Sequence, residues 1–202
     1  MLTASASSSA SFAPIPEGTY AAVCNMLVDL GMQFNETYKN TSRKVLIQWQ
    51  IPDETIEIDG KEEPRAISNR YTLSLGENAR LRADLAAWRG RDFTPQELEA
   101  FDLRNIVGAP CLINIIHKDN NGKRYANISS IMALPKGMPK PQISGKPIVF
   151  DLDDSPLSDI SKLPKWVAEI IYKSTTYQDM AAMPSTAEDF RELDDSDGEL
   201  PF

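Results

Sequence analysis

The sequence predicts a mainly β domain with a helical insertion, followed by an acidic C-terminal segment. Three features of the chain lead to this fold class. Two segments in the first half alternate apolar and polar residues with the period of a β-strand, the next segment has a helical period, and an Asn-Gly turn then separates two further apolar runs. With 202 residues, 42% of them hydrophobic, the chain can form one core domain with extensions.

Three strands are predicted first. Residues 19–28 form a short apolar run that is typical of a strand, and the polar residues 33–42 predict a loop after it. Residues 43–51 alternate regularly, and Pro52 is expected to end this second strand because proline has no backbone donor. Residues 65–75 alternate again after an acidic, turn-rich stretch, so they predict a third strand.

The period then changes from that of a strand to that of a helix. Asn78 is expected to cap a helix that Gly90 closes. Thr94 and Glu97 have the spacing of a capping box, and a proline stands at the first helical position. A short second helix is therefore predicted over residues 95–101.

A β-hairpin is predicted after the helices. Residues 111–116 are almost entirely apolar, the run from Asn120 to Gly122 is a turn signal, and residues 123–134 form the partner strand. Three strands, a helical insertion and two strands are the element order of the OB-fold, a small Greek-key barrel that binds oligonucleotides. The predicted fold is an OB-fold-like five-stranded barrel with a helical insertion between strands 3 and 4.

The composition along the chain predicts four segments. Residues 1–14 are a Ser/Ala-rich disordered leader without the features of a signal peptide, and residues 15–150 hold the barrel, ending in a proline-rich linker. Residues 151–180 combine linker with an amphipathic helix at about 164–173, and residues 181–202 are a disordered acidic tail. We expect this helix to pack on the barrel, although a second recognition helix is the alternative.

Charge is distributed unevenly between the body and the tail. Residues 1–150 contain 17 Lys and Arg and 16 Asp and Glu, whereas residues 151–202 contain 4 and 13. The net charge of −8 therefore belongs to the C-terminal part, and the nearly neutral body remains compatible with nucleic-acid binding. No stretch approaches the roughly 18 consecutive apolar residues of a membrane span, so we expect a soluble protein.

Few residues are suited to catalysis or metal binding. Cys24 and Cys111 lie inside apolar runs, which favours core packing in a reduced cytoplasm, and His117 is the single histidine. No phosphate-binding glycine loop and no Cys/His metal spacing occurs. We therefore predict no catalytic residue, metal or cofactor and no enzyme activity, while a nuclease with scattered carboxylate ligands stays open.

The last nine residues have no evident folding role. Four carboxylates precede an apolar end: Asp194, Asp195, Asp197, Glu199, then Leu200, Pro201 and Phe202. Such a segment should stay solvated, so a partner would supply a pocket for Phe202 and a basic rim. The end resembles the C-terminal tip of bacterial and phage single-stranded-DNA-binding proteins, with Leu200 where the bacterial pattern usually has Ile. An acidic solubility tail is the alternative.

Several blocks of the body resemble phage-encoded single-stranded-DNA-binding or replication proteins, over about residues 15–175. These blocks are residues 70–75, 81–85, 88–91, 93–94, 101–103, 108, 110–111 and 163–166, with Trp88-Arg89-Gly90 the most specific. The resemblance implies a bacteriophage protein that acts in the cytoplasm of the bacterial host during DNA replication or recombination.

A sequence-tolerant single-strand binder needs cations for phosphates and exposed aromatic faces for bases. The candidates are Arg43, Lys44, Arg65, Arg70, Lys118, Lys123, Arg124, Tyr125, Phe34 and Tyr38. Trp49, Tyr71 and Trp88 follow the apolar periodicity, so we expect them in the core. The arginines at 80, 82, 89 and 91 are either a solvated helix face or part of the DNA track, and the sequence favours neither.

These features predict sequence-nonspecific binding and protection of single-stranded DNA, with the tip recruiting replication or recombination proteins. One alternative is an adaptor or inhibitor of a host replication protein that does not bind DNA. Another is a strand-annealing recombination mediator. Self-association and the DNA site size stay open.

Overall fold

The computed structural model describes residues 13–182, so the predictions for the leader up to residue 12 and for the acidic tip lie outside the described residues. The described part is mainly β, with one six-stranded sheet. Its strands are β1 (Gly18–Asn35), β2 (Asn40–Ile58), β3 (Lys61–Thr72), β4 (Pro110–Asn120), β5 (Lys123–Ala133) and β6 (Ile148–Phe150). Its helices are α1 (Arg80–Arg89), α2 (Pro95–Glu99), α3 (Lys165–Tyr172) and α4 (Thr175–Ala182), with 3-10 turns at Leu103–Ile106 and Leu157–Lys162.

β1 is the central strand of the sheet. The antiparallel order is β3-β2-β1-β4-β5, and β6 pairs with β1 in parallel. The first part of β1 pairs with β4, from Gly18 to Val23, and the remainder pairs with β2 up to Asn35. β3 and β5 are therefore the outer strands of this order.

The inner face of the sheet carries the first core. Val45, Ile47, Trp49 and Ile51 point to this face, as their alternation predicts, and all four are buried. Ile67 and Tyr71 from β3 and one side of α1 join the same cluster.

Aromatic residues attach α1 to the inner face. The Trp88 ring lies 5.8 Å from that of Trp49, and Trp88 Nε1 donates a hydrogen bond of 2.9 Å to the carbonyl oxygen of Pro110. The Tyr71 hydroxyl donates to Asp84 at 2.8 Å. The prediction that Trp49, Tyr71 and Trp88 belong to the core is confirmed.

Both cysteines also lie in this core. Cys24 on β1 and Cys111 on β4 are free and fully buried. Burial raises the pKa of the Cys24 thiol to about 12 and also raises the pKa of Cys111. The expectation of core packing is thus confirmed for both residues.

The outer face of β1 and β2 is covered by the C-terminal part of the described chain. Met26, Val28, Leu30 and Leu46 form a second core with β6, α3 and the turn before α3. Val167 and Ile171 of α3 are buried there, whereas Trp166 is 44% exposed. The predicted helix at about 164–173 is therefore present, and its apolar stripe packs on the sheet.

The strands differ from the prediction in length and regularity. β1 continues to Asn35 and β2 begins at Asn40, so most of the predicted loop over 33–42 is strand. β1 has register shifts between Cys24 and Met26 and between Asp29 and Gly31, which break the two-residue period. Pro52 does not end β2. The pairing of β2 with β3 is interrupted between Ile51 and Thr55, around the proline, and then resumes.

The turn and cap predictions have mixed outcomes. Asn78 does not cap α1, since Ala79 occupies the cap position without a side-chain hydrogen bond. Gly90 closes α1 with φ of 69°, and Thr94 forms the predicted capping box, although α2 ends at Glu99 and not at residue 101. The predicted turn between β4 and β5 is present, and its backbone is left-handed, with φ of 50° at Asn121 and 74° at Gly122.

The proline-rich segment after β5 does not lead away from the sheet. It forms a turn at Pro135–Met138 and crosses the outer face, and Ile148–Phe150 then pairs with Met26–Val28 of β1. A parallel pairing of three residues leaves almost no local sequence pattern, so the sequence did not predict β6. Over residues 13–182, the helices are all too short or too polar to cross a membrane.

Candidate nucleic-acid interface

A groove of about 720 Å³ lies where the outer strands β3 and β5 approach each other. Arg65 lines it from β3, and Lys123, Arg124 and Tyr125 line it from β5. The segment 13–15 completes the wall, and the described lining contains no Asp or Glu. The structure therefore brings four of the predicted DNA-binding residues together in one basic groove, which we call the seam groove.

The charged and aromatic side chains that β5 contributes to the seam groove are exposed. Tyr125 is 48% exposed, and Lys118 lies directly opposite it in the β4–β5 register, so the two share one face. Arg124 Nε contacts Asp119 Oδ1 at 3.2 Å, but both side chains are more than half exposed, which makes this a weak pair. Arg65 donates to the carbonyl oxygen of Ala13, which fixes its guanidinium at the edge of the groove.

A second basic cluster lies further along β3. Lys44 and Arg70 line two adjoining pockets of about 370 and 580 Å³, and Phe34, which is 56% exposed, lines the smaller one. Lys44 Nζ donates to Thr72 Oγ1 at 2.6 Å. Neither cation has an ion-pair partner within residues 13–182, although Glu36 lines the smaller pocket and Glu77 the larger one.

The two clusters lie on different faces of β3, because Arg65 shares its side of the strand with Ile67 and Arg70 does not. Arg65 and Arg70 are five residues apart on β3, which corresponds to roughly 17 Å. Ser68 lies on the same face as Arg70, and its partner on β2 is Gln48. The alternation along β3 therefore places Arg70 on the outer face with Ser68, whereas Arg65 points to the other side.

Arg43 does not belong to either basic cluster. Its guanidinium forms ion pairs with Asp29 and Asp153, and the hydrogen bonds that it donates to these carboxylates raise the pKa of Arg43 above its usual range. It lies in a cleft of about 470 Å³ that Asp102 and Asp151 also line, which we call the Arg43 cleft. The carboxylate oxygens of Asp29, Asp151 and Asp153 lie within 4.8 Å of one another, beside this guanidinium.

Tyr38 lies apart from the seam groove and from the pockets of the second basic cluster. It is 76% exposed in the short connection between β1 and β2, at the tip of that hairpin. The next residue, Lys39, places its Nζ 6.0 Å from the centroid of the Phe34 ring. Tyr38 therefore shares a hairpin with Phe34 but lines none of the described pockets that contain basic residues.

The four arginines around α1 all contact carboxylates, which favours a structural role. Arg80 pairs with Asp84, Arg82 with Asp92, and both Arg89 and Arg91 with Glu97. The guanidinium of Arg89 also lies 4.5 Å from the Phe93 centroid and 5.0 Å from that of Phe101. Hydrogen bonds from Arg91 and from the Thr94 backbone lower the pKa of Glu97 to about 2.

Comparisons with known proteins add no assignment. A scan against protein-family models matches none of them, and a search of curated proteins finds no significant match. The predicted partner-binding residues, from Asp194 to Phe202, lie outside the part of the chain that the structure describes.

Proposed function

We propose that this protein is an OB-fold-like single-stranded-DNA-binding protein without sequence preference. The sheet order supports the proposal, because outer strands β3 and β5 that meet at one groove are the arrangement that a five-stranded barrel requires. The position of the helices between β3 and β4 agrees with the same fold. Strands 2 and 3 and the connecting loops are the surfaces with which OB-folds bind oligonucleotides.

The seam groove is the observation that carries the proposal. Arg65, Lys123 and Arg124 supply positive charge without a carboxylate in the lining, and Tyr125 presents a ring to solvent beside them. Cations that follow phosphates, together with aromatic faces for unstacked bases, are the features that sequence-tolerant single-strand binding needs. A duplex buries its base faces in the stack, so an exposed ring favours single strands.

The proposed cellular role extends to partner recruitment. The resemblance of residues 194–202 to single-stranded-DNA-binding protein tips supports docking of replication or recombination proteins of a bacterial host. We propose action in the host cytoplasm during phage DNA replication or recombination. Replacing Phe202 with Ala should abolish capture of such a partner and leave the affinity for DNA unchanged, whereas retained capture would reject docking through the tip.

Fluorescence anisotropy with a labelled oligo-dT tests DNA binding directly. We expect tight binding at about 50 mM salt that weakens with a slope of about −0.7 per neutralised phosphate. The double variant Arg65→Glu/Lys123→Glu should bind at least about 30-fold more weakly. Lys165→Glu, on the exposed side of α3, reverses one positive charge as each substitution of the double variant does, and it is the matched control.

The other outcomes distinguish the alternatives. Absence of binding to both single-stranded and duplex DNA would reject the proposal and favour an adaptor that acts through its tail. Equal affinity for the two forms would reject single-strand preference. Acceleration of pairing between complementary oligonucleotides would identify an annealing protein, in which the same groove holds the strand.

A further inference from the structure

The proline-rich segment of residues 137–146 lies across the outer face of the sheet, and we call it the strap. After β5, the strap contacts the neighbourhood of Val23 and Pro110, where Lys140 and Ile143 line a shallow pocket with them. The strap then reaches β2, where Gln50 binds it through both the nitrogen and the oxygen of the side-chain amide. Gln50 Nε2 donates to the carbonyl oxygen of Ser144 at 3.1 Å, and Ser144 N donates to Gln50 Oε1 at 2.9 Å.

The backbone of the strap is bent at two glycines. Gly137 has φ of 90° and Gly145 has φ of 86°, both in the region that L-residues rarely adopt. No atom lies within 4 Å of a Cβ placed at either position, so the backbone conformation and not crowding requires glycine there. The strap thus has a defined path on the sheet and does not behave as an extended linker.

This path places the strap beside the seam groove. Gln50 pairs with Ala66 on β3, and Ala66 lines the groove. Because neighbouring strands are about 4.8 Å apart, Ser144 is held about one strand from the groove wall. Lys140 and Lys146 flank Ser144 in the sequence and are exposed, and neither has an ion-pair partner among the described residues. The strap contains no Asp or Glu.

We infer that the strap is part of the DNA interface. Lys140 and Lys146 bind phosphates of the strand beside the seam groove, and Gln50 is a positioning residue that holds the strap where these lysines reach them. This inference rests on the proposed function. It assigns a binding role to a segment whose composition is that of a linker.

Salt-dependent binding of oligo-dT to the full-length protein tests the inference. Lys140→Ala/Lys146→Ala should lower the affinity roughly 5- to 10-fold per lysine at about 50 mM salt and reduce the salt slope by about 1.4. Lys165→Ala is the control for charge, and the effect should be absent there.

A double-mutant cycle separates positioning from general stability. Gln50→Ala should weaken binding, and adding it to the lysine pair should cause almost no further loss, because the lysines through which it acts are gone. Gln48→Ala, on the same face of β2, is the matched amide control. An unchanged slope in the lysine variant would overturn the role of the strap, and additive effects of Gln50→Ala would overturn its positioning role. Absence of binding by the wild-type protein would instead reject the proposed function itself.

Discussion

The seam groove and the Arg43 cleft contain the same kinds of residue but use them differently. In the groove, Arg65 and Lys123 have no carboxylate in the surrounding wall. In the cleft, Arg43 is held between Asp29 and Asp153, and further carboxylates line the same space. A cation count along the chain treats both regions alike, whereas their neighbours make one a candidate binding surface and the other a structural joint. The difference depends on contacts that are distant in sequence.

The largest expected effect is a loss of protein stability when the ion pairs of the Arg43 cleft are broken. Asp29→Ala leaves the Arg43 guanidinium without its most buried partner and removes the acceptor of the Gly31 backbone N–H, which lies 2.9 Å from Asp29 Oδ1. We expect the free energy of unfolding in urea to fall by about 3 kcal/mol. Asp119→Ala removes the exposed partner of Arg124 and should change it by less than about 0.5 kcal/mol. Equal losses would erase the distinction between the two regions.

A second prediction compares the same two regions in DNA binding. Lys123→Ala should reduce the slope of log affinity against log salt by about 0.7, because one phosphate contact is lost. Arg43→Gln should leave this slope unchanged, since its charge already serves Asp29 and Asp153. The titrations are made on variants whose circular dichroism matches the wild type. A reduced slope for Arg43→Gln would place the Arg43 cleft in the interface.

The smallest effect concerns the ion pairs around α2. The pKa of Glu97 is lowered to about 2, so its interactions stabilise the fold above pH 4.5 and are lost as the pH falls through the folded-state value. Carbon NMR of the Glu97 carboxyl group should give a midpoint near 2. Glu97→Gln should make stability less dependent on pH between about 4.5 and 2, whereas Lys123→Ala should not. A midpoint at the ordinary glutamate value would contradict the pairing with Arg91.

Local patterns predicted much of the fold. The alternation around Trp49 identified the inner face, and the Thr94 capping box and the Gly122 turn appear where their local chemistry requires them. The sequence did not predict the length of β1, because two register shifts break its period. β6 was missed for a different reason, since it depends on pairing across more than a hundred residues.

The candidate site was predicted only in part, because some of its contacts are local in sequence and others are distant. Short-range spacing places Lys123 and Tyr125 beside the hairpin turn, so their common location could be expected. The structural role of Arg43 depends on its ion pair with Asp153, which is 110 residues away, and no local pattern indicates that pair. The contact between Gln50 and Ser144 is equally long-range, which explains why the strap resembled a linker.

The central position of β1 has a consequence for folding kinetics. Its partners are β2, β4 and β6, and the last of these ends at Phe150, so the pairing of an early strand depends on residues that the ribosome adds much later. Long loops must close before these contacts form, and we expect refolding on the millisecond-to-second scale of high-contact-order β proteins. Until then, the segment from Ala22 to Leu30, which is mostly apolar, could pair with other chains. Among the described strands, β1 is therefore the first to be synthesised, and its partner β6 is the last.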